Sequence, residues 1–139
     1  MFAAIPLLIV PVVVYNVAVL TLVGGFSAAD ASVHMSEQIF AIHMTSGSDW
    51  PVSLGDILIA VSLVVLFIEL LKSTTSRRVA IVNHSLSMLL FIGCLVEFLL
   101  SPAFATSTYF LITLMVLLDV LAGFIVTIVS ARRDLDFGD

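Results

Sequence analysis

Four ionisable side chains interrupt long apolar runs: Glu69, His84, Glu97 and Asp119. A carboxyl or imidazole in hydrocarbon is costly, so it faces protein or water, finds a partner, and serves to carry protons, hold ions or tie helices together. Glu69 lies three residues, about 4.5 Å, inside Lys72, and His84 lies six residues, about 9 Å, inside Arg78. On adjacent antiparallel helices the two share a depth. A Glu69–His84 hydrogen bond there would form a proton-accepting pair, because imidazole titrates near neutrality. The simpler use of the same residues is structural: they tie the two helices together or reach interfacial water, with Lys72 snorkelling.

Asp119 is the deepest acid, thirteen residues and about 20 Å from Arg132. Its segment still inserts, since fourteen Leu, Ile, Val and Phe residues at about -0.3 to -0.6 kcal/mol each outweigh roughly +3 for one central Asp. Asn16, at similar depth in the first apolar run, is the expected partner, in a buried hydrogen bond that sets helix register. Ala122, Gly123 and Ser130 share the Asp119 face, with Thr108 aligned further along; small residues of this kind let another helix approach closely.

His84 aligns with Ser87 and Met88, whereas Glu97 aligns with Gly93 and Ser101. Thirteen residues put His84 and Glu97 about 140° apart around a straight helix, so they cannot share one site. That helix is expected to touch neighbours on two sides, with Tyr109 placed to donate to Glu97. Gly55, Ser62, Glu69 and Ser73 form a further line close to heptad spacing.

His34-Met35 and His43-Met44 pair imidazole with thioether, donors that suit copper(I). On one continuous helix their nine-residue separation sets the pairs on opposite faces, so no metal site is expected. Cys94 is the sole cysteine; it cannot form an intrachain disulfide and reads as a small buried hydrophobe. No phosphate loop, zinc motif, nucleophile elbow or haem-attachment motif occurs. Neither an enzyme nor a cofactor is expected.

The elements that must position these residues follow from composition. Of the 139 residues 61% are hydrophobic and 11% charged, with mean hydropathy +1.25. Soluble domains hold roughly 45–50% apolar and about 25% charged residues, so this is the balance of a membrane protein. Four apolar runs reach the length of a membrane-spanning helix: about 4–23, 54–71, 79–100 and 108–131. None alternates strictly, which makes a transmembrane β-barrel a poor alternative. The first run lacks a basic flank and is longer than a signal-peptide core, although Ala28-Ala-Asp-Ala31 loosely resembles a cleavage site; it is expected to be a true span.

Pro11 predicts a kink, because it deprives the Leu7 carbonyl of its usual donor. Gly24-Gly25 ends this helix. The loop 24–53 is acidic, and apolar spacing over Val33–Met44 predicts a short amphipathic helix on the membrane surface, followed by Trp50 at headgroup level. Ser53 and Asp56 form a capping box for the second span. Ser101-Pro102 ends the third span and Thr106-Ser107 can cap the fourth. So short a connection makes these two antiparallel neighbours.

The five basic residues are Lys72, Arg77, Arg78, Arg132 and Arg133. Cytoplasmic loops collect Lys and Arg, which places the 72–78 connection, the 132–139 tail and hence both termini inside, and the 24–53 loop outside. The expectation is a single all-α domain over 1–139: four transmembrane helices in an antiparallel bundle, in a bacterial inner membrane. No basic stripe exists for nucleic acid; the partners are the lipid bilayer and other membrane subunits or further copies of the chain. Little of the chain lies outside the bilayer, which points to a non-catalytic accessory or assembly subunit of a larger membrane complex. The alternative is an oligomeric proton, ion or small-solute channel or transporter that uses Glu69, His84 and Asp119.

Overall fold

The computed structural model describes residues 5–25, 30–72 and 77–136, and within these the chain is predominantly helical. The order is α1 (Ile9–Ala18, continued by a π-helical turn Val19–Val23), α2 (Ala31–Ser36), β1 (Gln38–His43), β2 (Asp49–Ser53), α3 (Leu54–Lys72), α4 (Arg77–Leu100) and α5 (Ser107–Asp136). Three stretches are long and apolar enough to cross a membrane: Leu54–Lys72, Ile81–Leu100 and Ser107–Val129. The fourth apolar helix, Ile9–Leu22, is shorter. At 1.5 Å per residue it covers about 21 Å, against roughly 30 Å of hydrocarbon.

Each helix boundary has a local cause. The kink expected at Pro11 does not arise, because α1 begins only two residues earlier. Proline belongs in a first turn, whose N–H groups have no intrahelical acceptor, and the Leu7 carbonyl is taken instead by the Val10 N–H at 2.9 Å. At the far end Gly24 adopts φ +90° and its N–H closes the π-helical turn onto the Val19 carbonyl, which also accepts the Gly25 N–H at 3.1 Å. Ser53 and Asp56 form the expected reciprocal cap of α3: the Ser53 N–H donates to Asp56 Oδ2 at 2.9 Å and the Asp56 N–H to Ser53 Oγ at 3.2 Å. Beyond α4, Pro102–Phe104 makes one 3₁₀ turn, and the Thr106 hydroxyl accepts the Tyr109 N–H at 3.1 Å.

The amphipathic surface helix expected over Val33–Met44 is replaced by two elements. Helix α2 stops at Ser36, and Gln38–His43 pairs antiparallel with Asp49–Ser53. Ile39, Phe40 and Ile42 are β-branched or aromatic and suit a strand. The turn Thr45-Ser-Gly-Ser48 holds Gly47 at φ +86°, which glycine adopts without steric penalty. Helical spacing was present in the sequence, but pairing with a partner strand outweighed it. The fold is therefore not all-α.

Helices α4 and α5 run antiparallel, as Ser87 meets Asp119 and Glu97 meets Tyr109. Helix α3 runs parallel to α5, since Gly55 faces Thr108 near the start of each. On α3 the residues Gly55, Leu58, Ser62, Leu66 and Glu69 are buried, which contains the polar line read from sequence; Ser73, its last member, lies outside the described residues. Tyr15, Phe104 and Tyr109 form an aromatic cluster, with ring centroids 4.7–5.6 Å apart, where α1 crosses the start of α5.

Candidate functional site

The polar residues of the helices collect into two clusters at different heights. The first centres on Glu69, whose side chain is fully buried. Its Oε2 accepts the Leu7 N–H at 2.8 Å, its Oε1 accepts the Asn83 amide at 2.5 Å, and Lys72 Nζ lies 3.1 Å from both oxygens. Lys72 also donates to the Ile5 carbonyl at 2.7 Å. Glu69 thus holds the backbone just ahead of α1 from another helix, satisfying the N–H of Leu7, the residue before the N-cap. One helical turn beyond Asn83, Ser87 donates to Asp119 Oδ2 at 2.6 Å.

The second cluster lies at the hairpin end. Tyr109 donates to Glu97 Oε2, and the Asn16 amide approaches the same oxygen at 3.4 Å while donating to the Val12 carbonyl at 3.1 Å. The Tyr15 hydroxyl donates to the Ala103 carbonyl at 3.1 Å and accepts from Thr106 at 2.6 Å. Between the clusters the interior is mainly apolar, filled by Leu66, Leu90, Cys94, Ile112 and Val116, with the buried hydroxyls of Ser62 and Thr113 bonded to carbonyls of their own helices. Ser87 and Glu97, at the facing edges of the two clusters, are ten residues apart on α4, or about 15 Å.

Several sequence pairings change. His84 is not hydrogen-bonded to Glu69. Its ring lies on the bare backbone of Gly123, where a Cβ would fall within the imidazole, and borders a groove of about 220 Å³ lined by Ile81, Met88, Val120, Phe124 and Thr127. Asn16 pairs with Glu97 rather than Asp119, because α1 crosses toward the start of α5 instead of following its length. Asn83, which takes the place expected for His84, was missed in the sequence. Amide and imidazole sit side by side there, and only the rotation of α4 decides between them.

The two His-Met pairs do not converge. His34 on α2 lies 3.6 Å from Asp30 and 4.0 Å from Glu37, while His43 on β1 bonds Asp49 at 2.7 Å. Met35 is buried beneath α2 and Met44 is exposed. Among the described residues no group of three His, Cys, Asp or Glu side chains is arranged to hold a metal ion. The side chains of Arg77, Arg78, Ser130 and Arg133, together with Ala28 and Ala29, lie outside the described residues.

A second cavity, of about 430 Å³, opens between α2 and the starts of α3 and α5, lined by hydroxyls of Ser32, Ser36, Ser53, Ser107 and Thr108 with Asp56. The class of protein these features define is a small, predominantly helical protein with three helices of membrane-spanning length and a two-stranded hairpin. No protein-family model, curated protein or solved structure matches the chain.

Proposed function

We propose that the protein is a non-catalytic accessory or assembly subunit of a larger membrane complex, embedded in the lipid bilayer and joined there to other membrane subunits. The observation that carries this reading is the hairpin. Ile39, Phe40, Ile42, Met44 and Trp50 are all exposed on it, and among the described residues each strand pairs only with the other. A lone two-stranded sheet is marginally stable in water, and contiguous exposed apolar surface marks an interaction site. A partner subunit that covers the hairpin would supply the missing burial.

The interior agrees with this reading. Glu69, Glu97 and Asp119 are each held by groups of the same chain, and a mainly apolar layer separates the two polar clusters. In this proposal the first apolar run makes a fourth crossing. The basic 72–78 connection and both termini then face the cytoplasm, the hairpin faces the other compartment, and the location is a bacterial inner membrane.

Purification from the native membrane in mild detergent, followed by native mass measurement, tests the assembly. A hetero-assembly of defined stoichiometry is expected, and an I39S/I42S variant should lose the partner while keeping its own thermal midpoint. A homogeneous monomer, or a variant that keeps the partner, would reject the hairpin interface. A closed homo-oligomer that passes protons or ions in liposomes, and loses that flux in E69Q, would favour the transport reading instead. That second reading draws on the unpartnered buried oxygens of Asn83 and Asp119.

A further inference from the structure

The first polar cluster contains two side-chain oxygens that no donor meets. Asn83 and Asp119 are each 1% exposed. Asn83 Oδ1, Asp119 Oδ1 and both ring nitrogens of His84 are buried and have no hydrogen-bond partner among the described residues. A buried acceptor without a donor is disfavoured, and two on facing helices ask for a donor between them. Charge gives the same sign: with both carboxyls ionised and the His84 imidazole neutral, the described side chains Glu69, Lys72 and Asp119 would leave one uncompensated negative charge in a medium that solvates it poorly.

Geometry selects the kind of donor. Asn83 and Ser87 are four residues apart on α4, so they sit about 40° apart around it, and Ser87 already holds Asp119 Oδ2 at 2.6 Å. His84 is turned about 60° from Ser87 and lies on Gly123 beside the α4–α5 groove. A metal cation of the hard type gathers roughly six or more oxygens. Here the oxygens without a donor number two, Asn83 Oδ1 and Asp119 Oδ1, with the Ser87 hydroxyl on the other Asp119 oxygen. A single O–H group, by contrast, answers both open acceptors at once.

We propose that the bundle binds one proton on Asp119 Oδ1 and shares it with the carbonyl oxygen of Asn83. The proton comes from hydronium in the surrounding water: one of its O–H bonds breaks, leaving a water molecule, as an O–H bond forms on the carboxyl. The titratable and charged groups that face Asp119 are Glu69 and Lys72 from α3 and His84 from α4. The proposal stands whether or not the hairpin binds a partner.

Infrared spectroscopy of the full chain in lipid at neutral pH tests it. The wild type should show the carbonyl absorption of a protonated carboxyl, shifted when H2O is exchanged for D2O. D119N should lose that absorption while keeping its thermal midpoint, since the new amide supplies an N–H donor. N83A should move the absorption to higher frequency, because the carboxyl loses its acceptor. A wild type without the absorption, an absorption that persists in D119N, or one unmoved in N83A would overturn the proposal. If D119N does not fold, the wild type and N83A decide between the same outcomes.

Discussion

At the residue scale, the side chain that joins most of the molecule is Glu69. It touches the start of α1, the Asn83 amide of α4 and Lys72 on its own helix. Removing one partner of a buried ion pair costs about 3–5 kcal/mol, because the other charge is left without compensation. Glu69→Leu should therefore lose about that much stability in detergent, measured by thermal or SDS-induced unfolding. Glu69→Gln keeps acceptor capacity for the Leu7 N–H and should lose clearly less. Tyr109→Phe removes the hydroxyl that donates to Glu97, leaving Asn16 as the remaining described donor to that oxygen. A loss of about 1–3 kcal/mol is expected, read in the same unfolding assay.

At the element scale, two glycines mark close approaches that differ in what stands opposite. A Cβ on Gly123 meets the His84 side chain of α4. Gly123→Ala should destabilise by about 1–3 kcal/mol, as overpacked cores do, and a second change, His84→Ala, should recover most of it in a double-mutant cycle. A Cβ on Gly55 meets Thr108 Oγ1 at 2.5 Å but also the Met35 backbone carbonyl at 2.9 Å. Backbone cannot retreat as a side-chain end can, so Thr108→Ala should rescue Gly55→Ala only in part. The start of α3 carries a separate prediction. Ser53→Ala removes one half of the reciprocal cap and should cost about 1 kcal/mol, visible as a lower thermal midpoint.

At the scale of the whole molecule, the predictions concern sidedness. Cytoplasmic loops collect Lys and Arg, and Lys72 sits at the end of α3 opposite the hairpin that precedes its start. Single cysteines introduced at Trp50 and at Thr75, in a Cys94→Ala background, should label from opposite sides of sealed vesicles. Labelling from the same side would remove the proposed topology, and with it the placement of the hairpin outside the cytoplasm. Cys94 itself is buried between α4 and its neighbours and should resist labelling until the protein is unfolded.

Lengths, ends and caps were legible in the sequence because each depends on neighbours within a turn or two. Apolar run length marks the three long helices, Gly24 and Pro102 mark where helices stop, and the Ser53–Asp56 spacing announces the start of α3. The Tyr109–Glu97 contact was also within reach, since a short connection sets the register of α4 against α5. What required the tertiary structure were choices between residues equally close in sequence. Asn83 and His84 differ by one position, yet a rotation of about 100° per residue sends one to Glu69 and the other to Gly123. Asn16 meets Glu97 because α1 crosses the bundle, and a helix's path is set by whole-surface packing rather than by the depth of one amide. The hairpin is the same lesson in backbone form: Ile39–Ile42 carries spacing compatible with a helix, and only the partner strand, which begins at Asp49, provides the hydrogen bonds that make it extended.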